Sequence, residues 1–237
     1  MYRQTALLVF FLGFCSVLQA HPALEVMDKL RLGTHDEEVK VMTEIRLYKK
    51  GELESQRDYE VYVGSNRRSL VLFRSQAEAG QKMLMLDDQY WLFMPSSRRP
   101  LRITPMQKLL GEASSGDLSS LRWEDDYTVI SEKQQGQQLV LDLKAARSGV
   151  TYARVELLVD ADSLHPKQAD FYLQSGRLAR EAEFVLEKRQ GRMVISGMEL
   201  QDRIQNDERT LILYHSAEPV TVPERWFNPA FLVRENL

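Results

Sequence analysis

The sequence predicts a mainly β protein, an antiparallel sandwich or barrel of about eleven or twelve strands in a single domain. Three observations carry this. From Glu38 onward apolar and polar residues alternate with a period of two, as a half-buried strand requires. Gly, Asn, Asp and Ser recur between the alternating runs at the short spacing of antiparallel connections. No linker, low-complexity tract or charge run divides the runs from one another.

The chain has 237 residues, 43% hydrophobic and 27% charged, the composition of an ordinary globular protein without a disorder signature. Its net charge of −3 offers no basic field to a nucleic acid. Met1 to Thr5 carries one cation, Arg3, and Ala6 to Leu18 is almost continuously apolar, with Gln19-Ala20 before the polar His21-Pro22. That is the pattern of a signal peptide, and the apolar run is short for a membrane span. Residues 1–20 are therefore expected to be a signal peptide and 21–237 the single mature domain, in a periplasm. Cys15, the only cysteine, would leave with the signal peptide, and the bulky Phe14 before it argues against lipoprotein processing. The mature chain would then have no disulfide and would rely on its core.

The elements follow in order. Ala23, Val26, Met27 and Leu30 form a helical stripe between Pro22 and Gly33, read as a helix packed on a sheet. Strands are expected from Glu38 to Tyr48, Leu53 to Val63 and Ser69 to Phe73. Lys82 to Leu86 and Gln89 to Met94, joined by the turn Asp87-Asp88, are apolar at both parities, so they should be covered on both faces. Pro105 to Leu110 reads as a short helix ended by Gly111, and Asp117 to Leu121 as a further helical turn. Strands resume over Tyr127–Lys133, Gln138–Leu143, Thr151–Asp160, Gln168–Gln174, Leu178–Lys188, Arg192–Asp202 and Thr210–Ser216. The proline-containing tail, Val220 to Leu237, with Trp226, Phe227 and Phe231, reads as a closing segment that pins an edge or a barrel mouth.

Catalytic chemistry is sparse. His21, His35, His165 and His215 show no metal-ligand spacing. No serine sits in a Gly-x-Ser-x-Gly elbow, and Ser114-Ser115-Gly116-Asp117 lacks a phosphate-loop pattern. Asp87-Asp88 and Asp125-Asp126 are read as turn residues rather than an acid–base pair. No catalytic residue, metal or cofactor is assigned. What stands out is the crowd of thioether and aromatic side chains, Met83, Met85, Tyr90, Trp91, Phe93 and Met94, beside the basic group Arg98, Arg99 and Arg102. Methionine and aromatic groups suit adaptable apolar binding, and the arginines suit lipid phosphate or an acidic partner surface. The reading is an apolar cavity with a movable cover.

These residues resemble a known family. Gly80 to Leu84, then Tyr90-Trp91-Leu-Phe-Met-Pro95, the Arg98-Arg99 pair, Arg102-Ile103 and Leu109-Leu110-Gly111 are similar to the outer-membrane lipoprotein-sorting proteins, the LolA/LolB-like family. Leu164 to Tyr172 followed by Ser175-Gly176, and the closing Val222 to Phe227 with Phe231-Leu232, look like that family too. Here Gly111-Glu-Ala-Ser-Ser-Gly-Asp-Leu lacks the aromatic of the family's Gly-Ser-Asp-Phe-Ser-like string, so the match is to the broader family.

The resemblance implies an incomplete antiparallel β-barrel of about 11 strands, with short helices covering a hydrophobic cavity. It implies acyl chains of a lipid or lipoprotein as ligand, held by Met83, Met85, Trp91, Phe93, Met106, Leu109, Leu110 and Phe171. Arg98, Arg99 and Arg102 would meet a membrane or a partner. The expected function is a monomeric, non-enzymatic periplasmic carrier between an inner-membrane exporter and an outer-membrane acceptor; the alternative is a lipid-sensing regulator on the same fold. Each buried methylene gains about 0.8 kcal/mol, so a long chain gains roughly 10 kcal/mol in the cavity. A membrane offers a similar gain, which leaves transfer near neutral and its rate to the cover.

Overall fold

The structure, a computed structural model, describes residues 21–32, 37–111, 113–118, 122–201 and 208–234. The expected signal segment 1–20 lies outside the described residues. The first element is helix α1 (Pro22–Lys29), with Pro22 in its first turn and the His21 side chain accepting from the Ala23 amide. Six strands follow, β1 (Val39–Lys49), β2 (Glu52–Gly64), β3 (Arg68–Phe73), β4 (Lys82–Leu86), β5 (Gln89–Phe93) and β6 (Leu101–Ile103). Next come the short strands β7 (Lys108–Leu110) and β8 (Ala113–Ser114), a 3-10 turn over Ser115–Leu118 and the one-turn helix α2 (Trp123–Asp126). The chain then builds β9 (Tyr127–Gln135), β10 (Gln138–Ala145), β11 (Arg154–Asp160), β12 (Pro166–Tyr172), β13 (Leu178–Arg189), β14 (Arg192–Gln201) and β15 (Glu208–Pro219).

Thirteen strands form one sheet in the order β6-β5-β4-β3-β2-β1-β15-β14-β13-β12-β11-β10-β9. Two meanders are joined where β1 pairs antiparallel with β15. The sheet is open: β6 and β9 end it and do not pair with each other. It nevertheless curls, because inner-face residues of β3 to β5 and of β10 to β12 belong to one buried cluster. An ion clasp ties the two halves at one rim. Arg67, in the β2–β3 turn, reaches Asp126 at 2.7 Å, and Arg147, after β10, bridges Asp126 at 2.7 Å and Asp87, in the β4–β5 turn, at 2.9 Å. The expected incomplete barrel is therefore an open, curled sheet.

One expected element is corrected. Pro105 to Leu110 is not a helix: Thr104 to Gln107 is a turn, and Lys108–Leu110 pairs with Ala113–Ser114 in a small hairpin. A six-residue apolar run is too short for its period to be decisive, and too short to offset the cost of helix nucleation. Gly111, at φ +54°, supplies the left-handed residue of the turn.

Side-chain parity divides the sheet into two faces. Inward, Tyr59, Val71, Phe73, Met83, Met85 and Tyr90 meet Leu141, Leu143, Val155, Leu157 and Phe171, and α1 inserts Ala23, Leu24 and Met27 among them. Outward, Leu70, Leu72, Leu84 and Phe93 pack against Val222, Phe227 and Leu232 of the tail. This explains why β4 and β5 are apolar at both parities: one face meets the core and the other lies under the tail. The tail is pinned by Lys82, whose Nζ donates to the Leu232 carbonyl at 3.2 Å and to that of Arg234, and by the Val222 amide, which donates to Glu38 at 2.7 Å. Phe227 lies so close to Gly64 that a Cβ there would be 2.5 Å from its ring.

Gly197 marks another close approach. β14 bulges at Ser196, since Val185 and Leu186 of β13 pair with Gly197 and Ile195, and a Cβ on Gly197 would collide with the carbonyl oxygen of Ile212 in β15. Backbone cannot yield as a flexible side chain can, so Gly197→Ala should cost about 2 kcal/mol or more. For a domain of this size the melting temperature should fall by about 4 °C or more, measurable by calorimetry.

Candidate functional site

The residues expected to line a cavity fall on two faces. Met83 and Met85 of β4 and Phe171 of β12 are buried in the inner cluster, with relative exposures of 0%, 2% and 5%. Met106, Leu109 and Leu110, in and before β7, lie half-buried against that same cluster. Trp91 and Phe93 belong to the outer cluster, beneath the tail. The reason is the strand period: along β5, Tyr90 and Leu92 face inward, so Trp91 and Phe93 cannot. Arg98, Arg99 and Arg102 are exposed, in the β5–β6 connection and on edge strand β6.

The inner face is closed by α1. Ala23, Leu24, Met27 and Leu30 are each no more than 4% exposed and pack into the inner cluster. An eight-residue helix has little stability of its own, so its place is set by this apolar face and by a few polar latches. The buried Asp28 carboxylate accepts from the amides of Trp123, at 3.0 Å, and Glu124, at 3.1 Å, and so caps α2 from another helix. The Leu30 carbonyl accepts from the Ile195 amide at 2.7 Å, and His21 Nε2 lies 2.8 Å from Glu132. The period-three-to-four stripe in this segment was legible as a helix packed on a sheet; nothing in it marked the helix as the cover.

Beside α1 lies an open groove of about 720 Å³ between α1, α2, the loop before β12 and the start of β14. Its less exposed lining is Val26, Asp28, Leu30, His165 and Met193, and its rim carries Glu25, Lys29, Glu124 and Arg192. The volume falls in the range of ordinary small-molecule sites.

The other cover, the β7–β8 hairpin, is anchored by a buried ion pair. Asp117, just after β8, pairs with Arg180 of β13, with side-chain exposures of 6% and 3%. The Asp117 carboxylate also accepts from the Ser114 amide at 2.7 Å and the Ser114 hydroxyl at 3.0 Å, while Arg180 donates to that hydroxyl at 3.2 Å. The Arg180 guanidinium lies 5.5 Å from the centre of the Tyr152 ring. Burial and the nearby Asp117 carboxylate push the Tyr152 phenol well above the ordinary tyrosine range, which keeps it neutral. Sequence reasoning passed over this pair, although Arg180 shares the parity of Ala182 and Phe184 and so was marked as an inward-pointing cation.

Asp125-Asp126 also differs from the expected solvated turn. Asp125 is exposed, but Asp126 is 2% exposed and is the hub of the ion clasp, held by Arg67 and Arg147 and by the Arg122 amide at 3.0 Å. Among the described residues no group of histidine and carboxylate side chains is placed to hold a metal ion.

An open, curled antiparallel sheet with a short helix and a small hairpin packed on its apolar inner face is a LolA-like fold. The structure is similar to that of a LolA superfamily protein from Nitrosomonas europaea, with 26% identity over 90% of this chain and 98% of the other, and a TM-score of 0.77. It also matches a DUF1329 family protein from Desulfovibrio piger, with 20% identity, coverages of 89% and 96% and a TM-score of 0.66. An outer membrane lipoprotein-sorting protein domain from Vibrio parahaemolyticus matches with 18% identity, coverages of 90% and 97% and a TM-score of 0.65. The chain belongs to a family described as uncharacterized protein, whose model matches residues 65–234. No curated protein matches it.

Proposed function

We propose that the protein is a periplasmic carrier that holds the acyl part of a lipid or lipoprotein against the inner face of its sheet and delivers it toward the outer membrane. The observation that carries this reading is the apolar inner face under a short, latched helix. Met83, Met85 and Phe171 form the wall, Met106, Leu109 and Leu110 the half-buried border, and α1 is the part that must yield. The groove of about 720 Å³ beside α1 is the route by which a chain enters. In this reading the packed arrangement, with Leu24 and Met27 in the inner cluster, is the unloaded form, and the ligand takes their place. Displacing them exposes apolar surface that the ligand then covers, so loading is an exchange of one apolar occupant for another and needs no covalent step. No described helix is long and apolar enough to cross a membrane, which is compatible with a carrier that moves between two of them.

The test is native mass spectrometry of protein isolated gently from its own cell envelope, together with titration of a long-chain fluorescent fatty acid. A bound lipid and saturable fluorescence are expected; neither appearing would sink the carrier reading. Residue assignments are tested by Phe171→Ala and Phe93→Ala. Both should lose about 3–5 kcal/mol of stability as buried phenylalanines. Only Phe171→Ala should alter fatty-acid affinity, by roughly tenfold or more, because Phe93 faces the tail. Equal effects on affinity would overturn the division of faces.

A further inference from the structure

A second surface lies outside the proposed cavity. Residues 91–104 and 219–234 together carry five arginines against one carboxylate, in a chain whose net charge is −3. The fold brings these segments side by side. Lys82 pairs with Phe93 at the end of β5, and the same lysine holds the Leu232 and Arg234 carbonyls of the tail. Between β5 and β6 the chain makes a tight turn in which the Ser97 hydroxyl donates to Met94 and Arg99 carbonyls at 2.9 and 3.0 Å, leaving Arg98 and Arg99 exposed. Among the described residues, none of the five guanidinium groups meets a carboxylate.

Three of the five are instead backed by aromatic rings. Arg102 lies 5.1 Å from the centre of the half-buried Trp91 ring, and Arg225 and Arg234 lie 5.8 and 5.0 Å from that of Phe231. One aliphatic side chain on the tail, Val233, is 41% exposed. Guanidinium groups backed by rings, with an exposed aliphatic on the same tail, combine cation and apolar surface in one patch. The headgroup layer of a bilayer accepts both together: phosphates meet the cations, and rings and aliphatics enter the acyl boundary.

We infer that this outer-face patch docks the protein on an anionic phospholipid surface. The inference rests on the carrier reading, since a carrier must rest against a bilayer to exchange its cargo. It gives the exposed arginines a role distinct from ligand binding. The patch is on the face opposite the cavity wall, so docking does not require the acyl site to be occupied.

Co-sedimentation with vesicles of phosphatidylcholine alone, or mixed with phosphatidylglycerol, tests this on the full mature chain. The wild type should pellet with the mixed vesicles only, and less as salt is raised. The triple variant Arg98→Gln/Arg99→Gln/Arg102→Gln, altered only at exposed positions, should partition about a hundredfold more weakly, at roughly tenfold for each 1.4 kcal/mol and about 1 kcal/mol per cation. Its fatty-acid affinity in solution should be unchanged. Equal pelleting with both vesicles, an unchanged triple variant, or capture by polyaspartate with no vesicle binding would overturn the inference. Loss of fatty-acid binding in the wild type, by contrast, would remove the carrier reading and is read out in a separate assay.

Discussion

Met27→Ala is expected to tighten acyl binding while lowering thermal stability. Met27 is fully buried in the inner cluster, on the helix that covers it. Truncating a buried methionine costs about 2–5 kcal/mol, part of it from the cavity left behind. Where α1 yields before the sheet does, that cost falls on the closed state and leaves the open, binding-competent state largely untouched. Apparent affinity scales with the fraction of molecules that are competent. A loss of about 2 kcal/mol from the closed state therefore raises the open fraction, and the affinity, by about thirtyfold. The same loss lowers the melting temperature by about 4–8 °C at 2–4 °C per kcal/mol. Fluorescent fatty-acid titration and calorimetry on one preparation read out both. Weaker binding alongside the lower melting temperature would show that Met27 belongs to the wall and that α1 is not the cover.

Arg180→Met should destabilise the protein strongly. It leaves the Asp117 carboxylate, 6% exposed, without its cation. Removing one partner of a buried ion pair costs about 3–5 kcal/mol, because the remaining charge has neither water nor a counter-ion. Here the Ser114 amide and hydroxyl still donate to that carboxylate, which favours the lower end of the range. The expected fall in melting temperature is about 6–12 °C. Amides of residues 108–118 should exchange with solvent faster than those of β1, because the pair anchors the β7–β8 hairpin. The double variant Arg180→Met/Asp117→Leu should recover most of the loss, since an apolar pair needs no compensating charge. A double variant no better than the single one would mean that the anchor acts through packing rather than charge.

The strand plan was legible because it is written in local alternation. Each of the twelve strands read from the sequence is present, and the one-sided burial of β1, where Val39, Val41, Ile45 and Leu47 are buried, is the pattern that alternation demands. Two errors have different causes, one local and one not. Lys108-Leu-Leu is too short to carry a period, and Gly111 turned it into a hairpin rather than ending a helix. Asp126 was read as solvated because two adjacent carboxylates look like a turn. Its burial depends on Arg67 and Arg147, which are 59 and 21 positions away in the chain.

The doubly apolar segment was legible, but its orientation was not. That the segment from Lys82 to Phe93 is apolar on both faces could be read from composition alone. Which face meets the core could not, because a strand apolar at both parities carries no preference of its own. The tail decided it: Val222, Phe227 and Leu232 cover Leu84 and Phe93, which leaves Met83 and Met85 to the inner side. The place of α1 likewise shows only in space, since a stripe of Ala23, Val26, Met27 and Leu30 says that a helix packs but not on what. The sequence by itself thus determined the β class, twelve of the strands and the apolar character of the segment from Lys82 to Phe93, while β6, β7 and β8 were not read from it. Tertiary structure decided which residues lie on the inner face and which helix packs against it, because those depend on contacts between segments far apart in the chain, 150 positions for Lys82 with Leu232 and 95 for Trp123 with Asp28.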